Sequence, residues 1–201
     1  KKGYKNVIYK RKKELDLTDE RKVDIFFKKT KPDFLIICAA KVGGILENEN
    51  YPIEFLLDNF VIQKNLLIAA KKYDIKRTIF LGSSCIYPKK SKIPIKEDYL
   101  MTGPLEKTNE SYALAKILGV KLSEILFEKY KKDIICLMPT NLYGENDNFD
   151  IASSHVIPGL ITKFLKAKKN NSSVEIWGSG KAIREFLHVD DMANASFHIM
   201  N

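Results

Sequence analysis

Tyr112-Ala113-Leu114-Ala115-Lys116 sets a phenol and an ammonium four residues apart. In a helix that spacing puts both side chains on one face. A cation held there would favour phenolate over phenol and pull Tyr112 down from its ordinary value of about 10, as proton donation to a carbonyl oxygen requires. Tyrosine and lysine at this spacing are also common on solvated helices, so the surroundings decide. Upstream, Leu81-Gly82-Ser83-Ser84-Cys85-Ile86-Tyr87-Pro88 ends an apolar run. It places two hydroxyls and a thiol at the carboxyl end of a strand, where open α/β sheets build their sites.

The rest of the chain reads as the frame for those groups. Short β-branched apolar runs alternate with longer amphipathic segments, the pattern of repeated βα units around a parallel sheet. Strands are expected at about 6–9, 33–38, 77–83, 133–138 and 174–177. Helices are expected over about 19–30, 52–73, 108–131, 156–169 and 190–200, with Thr18, Thr108 and Asp190 as caps and Pro52 in a first turn. The polar run from Lys168 to Ser173 marks a loop where a sheet domain hands over to a smaller portion. Gly178-Ser179-Gly180-Lys181 is not a nucleotide-phosphate loop, because Ala182 stands where Ser or Thr is needed and the first glycine is missing.

Composition narrows the class. A chain of 201 residues that is 45% hydrophobic can bury a real core. It contains no run of roughly 20 apolar residues and its start lacks a secretory segment, so a soluble cytoplasmic protein without a membrane span is expected. Cys38, Cys85 and Cys136 form neither a disulfide framework nor a metal site, and Cys38 and Cys136 are expected as buried, inert thiols in apolar strands. The net charge of +9 is compatible with nucleic acid, a membrane surface or phosphorylated small ligands. The lysines lie in short scattered groups without interleaved aromatics, which argues for solvated faces and against a nucleic-acid partner.

Ala39-Ala40-Lys41-Val42-Gly43-Gly44-Ile45, the 82–88 run, Thr102-Gly103-Pro104-Leu105-Glu106, Pro139-Thr140-Asn141-Leu142-Tyr143-Gly144, Ser154-His155-Val156-Ile157-Pro158, Ile176-Trp177-Gly178-Ser179-Gly180 and the 184–191 run occur in that order. Together they resemble the GDP-L-fucose synthase family along essentially the whole chain. The resemblance implies an α/β Rossmann-like doubly wound parallel sheet of the extended short-chain dehydrogenase type. It implies NADPH-dependent 3,5-epimerisation and 4-keto reduction of GDP-4-keto-6-deoxy-D-mannose, by a homodimer joined through helices about 52–73 and 108–131, to which Phe55, Leu56, Phe60, Leu118 and Leu122 supply apolar material that packing within the chain explains equally well.

Roles follow by resemblance. Ser83 binds the C4 oxygen, Tyr112 supports the enolate and protonates the alkoxide, and Lys116 tunes Tyr112 and holds the nicotinamide ribose. Cys85 and His155 take the base and acid positions for epimerisation; on the residues alone, an inert buried thiol and a capping or structural histidine are the leading readings. The basic run Lys10, Arg11, Lys12 and Lys13 follows the 6–9 strand where an NAD-preferring enzyme carries an acid, so the 2′-phosphate of NADP(H) is expected there, although a solvated turn is an equal reading for each lysine. Lys12 matches the family's phosphate-binding arginine and keeps charge without the bidentate fork. Asp16 and Leu17 are expected near adenine. Ala39, Ala40, Leu81, Gly82, Ser84, Pro139, Thr140, Asn141, Leu142 and His155 are expected along the cofactor. Lys163, Trp177 and Arg184 are expected at the nucleotide-sugar.

The family's first strand and glycine-rich turn have no counterpart here, so the chain is expected to be a fragment: residues 1–150 an N-terminally truncated NADP-binding domain, 151–201 the start of a substrate-binding region. The literal 201-residue polypeptide is expected to bind NADPH poorly. Two other readings stand beside this one. A related NAD-retaining sugar-nucleotide epimerase or dehydratase would regenerate its cofactor, and a non-catalytic dinucleotide-binding module would need none of the reactive groups.

Overall fold

The computed structural model describes residues 3–151, 153–176 and 178–201. Three apolar runs form a parallel sheet in the order β1 (Phe34–Ile37), β2 (Arg77–Leu81), β3 (Ile134–Leu137). The register pairs Ile37 with Phe80 and Phe80 with Cys136. Each crossover is helical: α2 (Ile45–Asn50) and α3 (Pro52–Lys72) join β1 to β2, and α4 (Glu110–Tyr130) leads from the β2 side into β3. Helix α1 (Glu20–Thr30) packs on α3, and α3 packs along α4, giving one helical layer over the sheet.

The core lies between that layer and the strands. Val23 and Phe27 of α1, Leu66 and Leu67 of α3, Ile117 and Val120 of α4, and Ile37 and Phe80 of the sheet form one buried cluster. Strand alternation sends Ile79, also fully buried, to the opposite face from Phe80, and α6 (Val189–Met200) packs against β2. Arg77 ties that helix down, donating from one guanidinium nitrogen to the carbonyls of Ile199 and Met200 while its Nε meets Asp133 at 2.7 Å. A second, two-stranded parallel sheet pairs β4 (Asn141–Tyr143) with β5 (Phe186–His188), and α5 (Val156–Asn170) lies between them in sequence. Among the described residues, no helix is long and apolar enough to cross a membrane.

Several expected elements differ. Residues 6–9 form no strand, pair with none among the described residues, and leave Val7, Ile8 and Tyr9 exposed. Residues 174–176 are irregular, and Trp177 lies outside the described residues. Caps fall one or two positions from those expected. Asp19, not Thr18, caps α1 by accepting from the Lys22 amide; Thr18 instead gives its hydroxyl to Asp16. Asn109 precedes α4 without a side-chain cap bond, and His188, not Asp190, caps α6. Cys38 is exposed just beyond β1 and is not a core thiol, while Cys136 is half-buried.

Gly119 sets the spacing between α3, α4 and β2. A Cβ there would lie 2.6 Å from both Gln63 Oε1 and Phe80 Cζ, and Phe80 is fully buried. Overpacking of this kind costs about 1–3 kcal/mol, partly offset by the ~1 kcal/mol that alanine gains over glycine in a helix. Gly119→Ala is therefore expected to destabilise the fold by about 1 kcal/mol, read as a lower urea midpoint with unchanged slope. An unchanged or raised midpoint would contradict the close approach.

Candidate active site

The site is assembled at the carboxyl end of β2. After Leu81 the chain leaves the sheet through Gly82 and Ser83 into one turn of 3-10 helix, Ser84–Ile86. Ser83 caps that turn, its Oγ accepting from the Cys85 amide at 3.4 Å. Two backbone bonds lash this loop to the neighbouring strand's exit: Gly82 N donates to Leu137 O and Ser84 N to Pro139 O at 3.1 Å. The hydroxyl and thiol are therefore carried on a segment fixed from both ends.

Helix α4 supplies the other half. It packs against the Ser84–Ile86 turn. Lys116, 3% exposed, donates from Nζ to the Leu81 carbonyl at 2.7 Å and lies 5.0 Å from the centre of the Phe80 ring. Its Nζ is 5.6 Å from the Tyr112 ring centre, and Tyr112 packs edge-on against Phe55. Cys85 is close enough to act electrostatically on both Tyr112 and Lys116. Ser83, Cys85, Tyr112 and Lys116 thus lie at one strand end.

The electrostatics differ from the expectation. Burial pushes the Tyr112 phenol up, with the Cys85 charge adding to the rise, and Lys116 does not reverse it. Burial also lowers the Lys116 ammonium to about 8, although Cys85 and Cys38 oppose the shift. The Cys85 thiol is likewise raised by burial, with Ser83 and Lys116 pulling it back. The site accordingly holds a firmly protonated phenol, a thiol that must lose its proton before acting as a base, and a lysine able to release its own near neutrality. A protonated phenol remains the form a general acid needs.

Other expected site residues divide into those near this centre and those apart from it. His155 is the exposed N-cap of α5, with no side-chain cap bond. A Cβ on Gly44 would sit 3.3 Å from Ser154 O, so the turn after β1 abuts the residue before His155. Ala39 and Ala40 lie on the same β1 exit. Thr140 and Asn141 both give their side-chain donors to Glu185 O, tying β4 to the approach of β5, and Leu142 is within β4. Lys163 reaches from α5 to Glu175 O at 3.1 Å. Arg184 is exposed and bonds the adjacent Ile183 carbonyl.

The basic turn has a defined shape. Glu14 accepts from the Arg11 amide and pairs with Lys10 at 3.2 Å, which holds its carboxyl below the ordinary range. Among the described residues no ion pair engages Arg11, Lys12 or Lys13. Asp16 spends its carboxylate on the Thr18 hydroxyl and amide, at 2.7 and 3.0 Å. Three cations without an ion pair among the described residues, set beside a closed turn, are a donor set suited to a phosphate. Glu14 escaped the sequence reading, and so did four buried amides, Asn48, Asn59, Gln63 and Asn65.

Helices wound on a parallel sheet, with serine, tyrosine and lysine gathered at a strand's carboxyl end, define a Rossmann-like protein of the short-chain dehydrogenase type. The chain belongs to the NAD dependent epimerase/dehydratase family, whose model matches residues 2–201. It is 48% identical over 199 residues to a GDP-L-fucose synthase of Escherichia coli strain K12, covering 98% of this chain and 62% of that protein. It is 47% identical over 200 residues to GDP-L-fucose synthase 1 of Arabidopsis thaliana, covering 99% of this chain and 61% of that one. The crystal structure of a GDP-L-fucose synthetase from Naegleria fowleri bound to NADP superposes with a TM-score of 0.86 at 35% identity, over 96% of this chain and 63% of that one. The chain spans about three-fifths of the length of these curated relatives.

Proposed function

We propose that the protein containing this chain converts GDP-4-keto-6-deoxy-D-mannose to GDP-L-fucose, by epimerisation at C3 and C5 and reduction at C4, with NADPH as reductant in the cytoplasm. The observation that carries this reading is the convergence of Ser83, Cys85, Tyr112 and Lys116 on the end of β2. The similarity to GDP-L-fucose synthases over nearly the whole chain supports the choice of sugar nucleotide. The NADP held by the Naegleria fowleri structure supports the cofactor.

When bound, the dinucleotide supplies hydride to C4. This chain's residues do the rest. The Ser83 hydroxyl and the Tyr112 phenol donate to the C4 oxygen, so charge developing there meets two fixed donors. A polarised C4 carbonyl acidifies the protons on C3 and C5 alike. Cys85 removes such a proton from one face and His155 returns one to the other; after both inversions Tyr112 gives its proton to the C4 alkoxide. Lys116 supplies positive charge beside Tyr112 and a donor for the nicotinamide ribose, while Arg11 and Lys12 meet the 2′-phosphate. Ala39, Ala40, Gly82 and Pro139 line the path between. Lys163, Trp177 and Arg184 take the GDP end.

The direct test incubates the intact protein with GDP-4-keto-6-deoxymannose and follows NADPH oxidation and product stereochemistry together. Stoichiometric oxidation with L-fuco product is expected; turnover with the dinucleotide regenerated would instead place the protein among the related epimerases. Because burial raises the Cys85 thiol, the thiolate fraction should grow about tenfold per pH unit below its pKa. Deuterium wash-in at C3 and C5 is therefore expected to rise steeply from pH 6 to 8 and to be lost in Cys85→Ser, while inversion at those carbons is expected to be lost in both Cys85→Ser and His155→Ala. A pH-independent exchange rate would exclude a thiol base.

A homodimer through α3 and α4 fits the apolar residues those helices expose. Leu57 on α3 and Leu114, Leu118 and Ile125 on α4 are between 41% and 51% exposed. Phe55, expected in that interface, is buried inside the fold against Tyr112 and serves the site instead.

A further inference from the structure

Helix α3 carries three amides whose presence helix formation does not explain. Asn59, Gln63 and Asn65 are each only 2–3% exposed. Asparagine is a weak helix former, and a buried amide is costly unless its bonds are made. Each of these three makes its bonds to the main chain of a different segment.

Asn59 grips Lys41 from both sides. Its Oδ1 accepts from the Lys41 amide at 2.7 Å, and its Nδ2 donates to the Lys41 carbonyl at 3.0 Å and to Phe55 O at 2.7 Å. One side chain thus replaces the ladder partner that Lys41 lacks beyond the end of β1. Asn65 sits six residues on, about 120° around the helix at ~100° per residue. Its Nδ2 donates to the carbonyls of Leu17 and Thr18, at 2.9 and 3.2 Å. Its Oδ1 is buried with no hydrogen-bond partner among the described residues, so the amide is held for its two donors. Gln63, on the Asn59 side, gives Nε2 to the carbonyl of Ala115, the residue before Lys116.

We infer that α3 is the jig of the dinucleotide site: Asn59 and Asn65 are positioning residues that set the main chain of the β1 exit and of the 16–18 turn, and Gln63 sets the rotation of α4 beneath Lys116. The assignment of those segments to a dinucleotide rests on the function proposed above; the gripping of the segments does not. No sequence motif marks these amides, and none touches a reacting atom. Their effect is to deliver three separate stretches of backbone in one mutual geometry, from a single rigid element. Outward, the same helix presents the apolar residues of the proposed dimer face.

The test uses the intact protein with Asn59→Ser, Asn65→Ser and, as a control of comparable destabilisation outside α1 and α3, Met192→Ala in α6, which packs on β2. Amide hydrogen exchange is followed by segment, and NADPH affinity by nucleotide fluorescence. Asn59→Ser is expected to speed exchange selectively across 39–44, and Asn65→Ser across 15–19. Each is expected to weaken NADPH binding about tenfold, the scale of one hydrogen bond's worth of order. Met192→Ala should do neither at equal loss of stability. Exchange that rises evenly along the chain, or affinity that tracks stability alone in all three, overturns the inference. If the wild-type protein does not bind NADPH, the proposed function is lost, and the segmental exchange still decides whether α3 is the jig. Should one serine variant not fold, the other decides by the same readouts.

Discussion

Tyr112→Phe is expected to slow C4 reduction roughly 100- to 10,000-fold, the range that a positioned general acid contributes. The ring keeps its packing on Phe55 and its place beside Lys116, because neither contact uses the hydroxyl. Dinucleotide affinity should therefore stay within about twofold, and the loss should fall on kcat, as for an interaction made only in the transition state. Burial holds the phenol protonated throughout the working range, so the wild-type reduction step should show no descending limb from Tyr112 between pH 6 and 9. Reduction that proceeds unimpaired in Tyr112→Phe would remove the phenol from the chemistry and leave Ser83 as the sole donor to the ketone.

The pairing of Tyr112 with Lys116 was readable because helix geometry depends on spacing alone. Their electrostatics were not, because the dominant influence on both is burial, which depends on Phe55, Phe80 and the Cys85 loop meeting from distant parts of the chain. The same division runs through the fold. β1, β2 and β3 are continuous apolar runs and stand out. β4 and β5 have three residues each, pair with one another across about 45 positions, and carry no alternation to find. Val7, Ile8 and Tyr9 have strand-like character, but a strand also needs a neighbour with free backbone groups. At Asn59 and Asn65 nothing local distinguishes an amide facing water from one gripping a distant loop.

Lys116→Met is expected to separate stability from activity. In the folded chain the ammonium is lowered to about 8 from an ordinary 10.5, with burial as the main cause. Below pH 8 the folded and unfolded states both hold the proton, and the cost of burying the charge is present in full. Between pH 8 and 10.5 the unfolded chain binds more protons than the folded one, so stability from this group rises with pH; above 10.5 both are neutral and the cost is gone. The span corresponds to something on the order of 3 kcal/mol. Methionine fills a similar volume without the charge, at the loss of one bond to Leu81 O. We expect the variant to be more stable than wild type at pH 7 by about 1–2 kcal/mol, with the advantage shrinking by pH 9, in urea titrations at each pH. Reduction should collapse at the same time, since positive charge beside Tyr112 and the ribose donor both go. A variant less stable than wild type at pH 7 would mean that the bond to Leu81 and the Phe80 ring more than offset the burial of the charge, and that the lysine holds β2 and α4 together as well as serving the chemistry.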